Sequence, residues 1–141
     1  VDGGDVLFQG DVTGTGVTIV LTAASPSNIG EIDIRAQSIV NLTAPSSGEY
    51  QGIVIHQDEA ADEGGDNKFN GGSGLTLVGA IYIKSQPITY NGGTDVSGCT
   101  QIVARIVKFS GTSYLRNTVA KCESVGLDGE SAPQEQVVLL Q

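Results

Sequence analysis

Methionine and tryptophan are absent from this chain of 141 residues, histidine occurs once, and aromatic residues make up only 5%. A core built without large rings or thioethers must be filled by Val, Ile, Leu and Thr, and those side chains favour strands. Basic residues are also scarce, seven against sixteen acidic ones, for a net charge of −9. A nucleic-acid-binding face needs clustered cations, so nucleic acid is not expected as a partner. Anionic membrane surfaces are disfavoured for the same reason. No apolar run approaches the length of a bilayer span. No stretch of ten or more residues carries helical periodicity. The parts of a catalytic site are missing too. His56 has no Ser or Cys nucleophile in a motif around it, and the acids either crowd one loop or stand singly. The chain is therefore expected not to be an enzyme.

What is present is glycine, 20 residues of it, punctuating short alternating apolar runs. Residues 67–86, NKFNGGSGLTLVGAIYIKSQ, read as one coil of a solenoid. A strand ends at Phe69 and a turn follows at Asn70-Gly71-Gly72-Ser73. Leu75 to Val78 form a second strand, Gly79 allows a bend, and Ala80 to Lys84 form a third. The pattern restarts where Ile88-Thr89-Tyr90 meets Asn91-Gly92-Gly93. Phe69 and Tyr90 are 21 positions apart, a plausible coil length for a parallel solenoid. The apolar residues before each turn are Phe8, Ile34, Phe69, Tyr90 and Phe109, and they are expected to stack as an internal ladder. Insertions, among them the loop at Pro26, account for the longer gaps.

Other strands are expected at residues 16–22, 32–34, 39–43 and 52–57. In the last of these Ile53 and Ile55 point inward, with Val54 and His56 outward. Residues 94–98 read as an insertion before Cys99. Residues 122–136 read as a loop or tail and 137–141 as a terminal strand, which must pair with a sheet edge or cap the stack. The fold class is all-β: a single domain over residues 1–141, a right-handed single-stranded parallel β-helix with irregular coils of about 20 residues and loop insertions.

Cys99 and Cys122, 23 positions apart, are read as a disulfide in preference to two thiols or a metal pair. Such a bridge places the protein in an oxidising compartment, hence extracytoplasmic: periplasm, cell surface or secreted. Residues 58–66, DEAADEGGD, hold five carboxylates: Asp58, Glu59, Asp62, Glu63 and Asp66. They are a weak Ca²⁺ candidate, because hard cations want several oxygens, but the spacing fits neither an EF-hand nor a calcium-binding nonapeptide. The preferred reading is a solvated acidic excursion, with no cofactor.

The ordered set of segments resembles the C-terminal β-helical region of bacterial Tad (tight adherence) pilus-assembly proteins of the TadE/TadG-like kind. The resembling residues are Gly16-Val17-Thr18-Ile19, Leu42-Thr43-Ala44-Pro45, Tyr50-Gln51-Gly52-Ile53 with Gln57-Asp58, Gly79-Ala80-Ile81-Tyr82, Tyr90-Asn91-Gly92, Cys99 to Val103, Phe109-Ser110-Gly111 and the closing Val137-Val138-Leu139-Leu140-Gln141. Ile81-Tyr82-Ile83-Lys84 stands where the family pattern has Tyr-Phe-Pro. The resemblance implies a structural role in pilus or envelope assembly, through protein partners and self-association, and carries no catalytic residues. Membrane contact is expected only through an N-terminal segment preceding Val1. The alternative reading is a carbohydrate-binding or carbohydrate-active β-helix protein. An ice-binding solenoid is disfavoured, because Thr18, Thr22, Thr43, Thr76 and Thr89 do not recur at one offset.

Overall fold

Short alternating runs separated by glycine and polar corners cannot fold as isolated hairpins when their pairing partners lie one coil away. They pair in parallel instead. A computed structural model describes residues 1–70, 74–91, 95–111 and 114–128. Its strands are β1 Gly4–Phe8, β2 Asp11–Thr15, β3 Ile19–Leu21, β4 Ile29–Ile34, β5 Ile39–Thr43, β6 Ile53–Gln57, β7 Asn67–Asn70, β8 Leu75–Asn91, β9 Asp95–Ser110 and β10 Tyr114–Asn117. A five-residue helix, α1 Val119–Glu123, follows. Every strand pair among the described residues is parallel. The strands form one sheet that winds, solenoid-like, around a shared interior.

The sheet falls into three columns. In the first, Phe8 lies opposite Ile34, Ile34 opposite Phe69, Phe69 opposite Tyr90, and Tyr90 opposite Phe109. The pre-turn ladder read from the sequence is thus in register throughout. Phe69 and Tyr90 stack at 4.9 Å between ring centroids, and Tyr90 and Phe109 at 5.5 Å. In the second column Val12, Val40 and Leu75 align, as do Gly14, Leu42 and Leu77. In the third, Ile19, Ile55, Ile81 and Ile102 align. Ladders of like side chains pack well because each layer repeats the one below at about 4.8 Å.

Several elements differ from the sequence reading. The strand expected at 16–22 shrinks to Ile19–Leu21, and β2 Asp11–Thr15 was not foreseen because Asp11 and Gly14 are poor strand formers and Val12 is its one aliphatic residue. The separate strands expected between Leu75 and Lys84 are one continuous run, β8, which reaches Asn91. It bends rather than breaks at Gly79, whose φ of +141° suits glycine and whose missing Cβ would lie 2.7 Å from Ala44 Cβ. Val54 is buried, not outward, because the pairing of β6 with β8 slips between Ile53 and Ile55. The supposed insertion at 94–98 is almost wholly the start of β9. Cys122, placed in a loop by the sequence reading, lies in α1. The turn residues 71–73 and 92–94, and the tail and strand expected at 129–141, lie outside the described residues.

Where the third column passes into the first, side-chain amides replace the interrupted ladder. Gln57, Asn67 and Gln86 are all buried there. Gln86 Oε1 accepts from Gln57 Nε2 at 2.8 Å and from Asn67 Nδ2 at 2.9 Å. Gln57 Nε2 also donates to the Gly30 carbonyl, Asn67 Oδ1 accepts from the Ile32 amide, and Gln86 Nε2 donates to the Asp62 carbonyl. Buried backbone groups at a corner need such partners. A second corner is held by stacked polar side chains: Asn70 donates to Asp33, Asn91 to Asn70, and Ser110 to Asn91.

Candidate functional site

The outer face of the third column carries the row Val20, His56, Tyr82 and Val103, each the register partner of the next. It is assembled by the pleat: Ile19, Ile55, Ile81 and Ile102 align in the same column, so their chain neighbours turn outward. His56 stacks on Tyr82 with centroids 5.4 Å apart and meets Tyr50 edge-on at 5.6 Å. Tyr82 donates to Glu59, and Lys84 pairs with the same carboxylate at 2.9 Å. The Lys84 ammonium and the Tyr82 hydroxyl hold the Glu59 carboxyl below the usual carboxylate range. In return the Glu59 hydrogen bond raises both the Tyr82 phenol and the Lys84 ammonium. Ser85 Oγ donates to the Glu59 carbonyl, which pins the acidic loop to β8.

The five acidic candidates are not gathered into one cage. Asp58 accepts from Thr22 Oγ1 and from the Ala60 amide. Glu59 faces Tyr82 and Lys84. Glu63 pairs with Arg105 at 2.8 Å, while Asp66 accepts from Thr89 and pairs with Lys68. Asp62 contributes its carbonyl to Gln86. Among the described residues no group of three or more His, Cys, Asp or Glu side chains is arranged to hold a metal ion. The loop is a clasp that ties coils together through separate partners.

Tyr50, Tyr82 and Lys84 entered the sequence reading only as parts of strands and of the resembling segments and not as neighbours of His56. The signal was hidden by the acidic loop: His56 and Tyr82 are 26 positions apart, and only subtracting that insertion would reveal a coil-length spacing.

A second surface lies at the end of the winding. Along residues 99–110 β9 pairs with β8 on one side. On the other side, among the described residues, it pairs with β10 only at 95–98. The exposed end carries Phe109 at 50% accessibility, Val103 and Ile106 at 45% and Val107 at 38%. Asn117 closes the β10 pairing by donating to the Thr100 carbonyl and accepting from the Thr100 amide, a side chain acting as a peptide group.

Cys99 and Cys122 form a disulfide that ties α1 to the junction of the second and third columns. Leu127 then packs over Gly52, close enough that a Cβ there would lie 2.8 Å from its Cδ2. Closing a loop of this size constrains the unfolded chain by about 3 kcal/mol. The Cys99→Ala, Cys122→Ala double variant is expected to melt about 10 °C lower in calorimetry. An unchanged midpoint would show that the bridge merely decorates a region held by other contacts.

Fold and surface together define a parallel, solenoid-like all-β protein with a disulfide-anchored end and an outward aromatic row. No family model, no curated protein and no solved structure matches the chain. Among the described residues no helix is long and apolar enough to cross a membrane.

Proposed function

We propose that the chain is a right-handed single-stranded parallel β-helix serving as a non-enzymatic, extracytoplasmic assembly domain, of the kind found in Tad-type pilus or cell-envelope proteins. The observation that carries this reading is the outward row His56, Tyr82 and Val103, flanked by Tyr50. Tyrosine side chains on a rigid sheet are common anchors of protein contacts, and neighbouring aliphatic groups help exclude water around them. Solenoids bind partners along such extended faces. The disulfide supports an oxidising compartment. The resemblance noted in the sequence supplies the pilus-assembly context.

The carbohydrate reading is weaker on geometric grounds. Tyr82 turns one ring face onto His56, whereas a sugar platform needs an open face. Glu59, the carboxylate on this surface, is engaged by Tyr82 and Lys84.

The test places a photo-crosslinking amino acid at position 103 in the native cell. A protein adduct is expected there, and none from position 13 on the second column. Tyr82→Ala should lower adduct yield about tenfold, the size expected of an interface anchor. No adduct from position 103, or depolymerisation of a polysaccharide by the purified protein, would overturn the reading.

A further inference from the structure

The two ends of the winding are left open in the same way. In the first column every middle layer has a neighbour on each side, and its inward residues Ile32, Ile34, Phe69, Ile88 and Tyr90 are buried. The outermost layers are β1 and the end of β9. Among the described residues β1 pairs only with β4, and residues 106–110 of β9 pair only with β8. Their inward residues are partly bare. Val6 and Phe8 are half-buried, while Val107 is 38% and Phe109 50% exposed. Apolar edges of this kind are templates for another strand. The ends differ in charge, however. Residues 1–28 carry Asp2, Asp5 and Asp11 and no Lys or Arg. Residues 99–121 carry Arg105, Lys108, Arg116 and Lys121 and no Asp or Glu.

We propose that a second copy of this chain docks head to tail, with β1 of one copy adding as a parallel strand along residues 106–109 of β9 in the other. The register of the column sets the pairing. Phe8, Ile34, Phe69, Tyr90 and Phe109 are successive partners, so the next place falls to the incoming Phe8, which extends the ring stack. The same count sets Val6 on Val107 inside the column. On its outer side Leu7, Asp33, Lys68, Thr89 and Lys108 are successive partners, so Leu7 of the incoming copy meets Lys108. In the second column β2 follows along β10. In the third the chain passes into α1 after β10, so the first two columns carry the contact. Opposite charge selects this occupant, because the acidic first coil meets the basic last one. Pairing of like ends is disfavoured: two β9 edges would bring the Lys108 ammonium groups together, and two β1 edges would gather Asp2, Asp5 and Asp11. The joint is heterologous and does not close on itself, so copies add in a row. It uses neither His56 nor Tyr82, so its failure would leave the reading of the outward row untouched.

Sedimentation of the full chain tests this. The unmodified protein is expected to form a series of species whose mean mass rises with concentration. Leu7→Lys sets a lysine against Lys108 of the next copy and should weaken association about tenfold. Leu7 is 50% exposed, so the fold should tolerate the change. Adding Lys108→Asp to that variant should restore most of the affinity, because the pair then carries opposite charges. Thr76→Lys adds the same charge to the middle layer of the second column and should change little. A single-chain mass up to about 1 mM, the weak end of specific association, would overturn the proposal. So would a series that stops at a dimer, or a Leu7→Lys variant that associates as the parent does, since other surfaces would then be meeting.

Discussion

Tyr90→Ala is expected to destabilise the protein by about 3–5 kcal/mol, the usual cost of removing a large ring from a core. The ring is fully buried between Phe69 and Phe109, and it joins the third and fifth layers of the first column. Few other large rings are available to fill the space. The hydroxyl, in contrast, contributes nothing visible: it is buried with no hydrogen-bond partner among the described residues. Tyr90→Phe should therefore be neutral or stabilising, because it removes a desolvated polar group and keeps the stack. Burial also pushes the Tyr90 phenol far above its ordinary value of about 10. The sign follows from linkage. The native state keeps the proton while the unfolded chain releases it, so this contribution is full below about pH 10 and is lost as pH rises above it. Urea titrations at pH 8 and 11 should show that loss in the parent protein and a smaller one in Tyr90→Phe. An alanine variant within 1 kcal/mol of the parent would mean that the ladder is not a structural spine.

Gln86→Leu is expected to cost about 3 kcal/mol, although the replacement is apolar and of similar size. Its side chain satisfies three groups at once, Gln57 Nε2, Asn67 Nδ2 and the Asp62 carbonyl. Each buried group left short of a partner costs about 1–3 kcal/mol, reduced here because Gln57 keeps the Gly30 carbonyl. Gly65 offers an independent probe of the same corner. A Cβ there would lie 2.2 Å from Gln86 Oε1, whereas at Gly64 it would meet nothing within 4 Å. Gly65→Ala should thus be clearly destabilising and Gly64→Ala close to neutral, by equilibrium denaturation. Equal effects at the two glycines would show that the amide cluster can shift without cost.

The corner is also where sequence reading reached its limit. Gln57, Asn67 and Gln86 look like ordinary surface residues in a sequence rich in Gln and Asn. Nothing local marks them as interior, because their partners are 19 to 29 positions away. His56 illustrates the same limit for the site. Its outward direction was legible from strand alternation, but its company was not: Tyr82 reaches it through the register of β6 with β8, and Tyr50 from the polar corner before β6. Val54 was misplaced because a register slip in β6 overrides strict alternation, and no residue type announces a slip.

By itself the sequence determined the building material and the rhythm. Without Met, Trp or helical periodicity, and with β-branched residues between glycines, only strands could form the core. Phe8, Ile34, Phe69, Tyr90 and Phe109 could be aligned because an apolar residue before each turn is a local signal. The tertiary structure alone decided which strands run on unbroken through a bend, which amides are drawn inside, and which carboxylates become clasps. Those outcomes depend on contacts between neighbouring coils, whose energies are set by stacking geometry and not by the preference of any single residue.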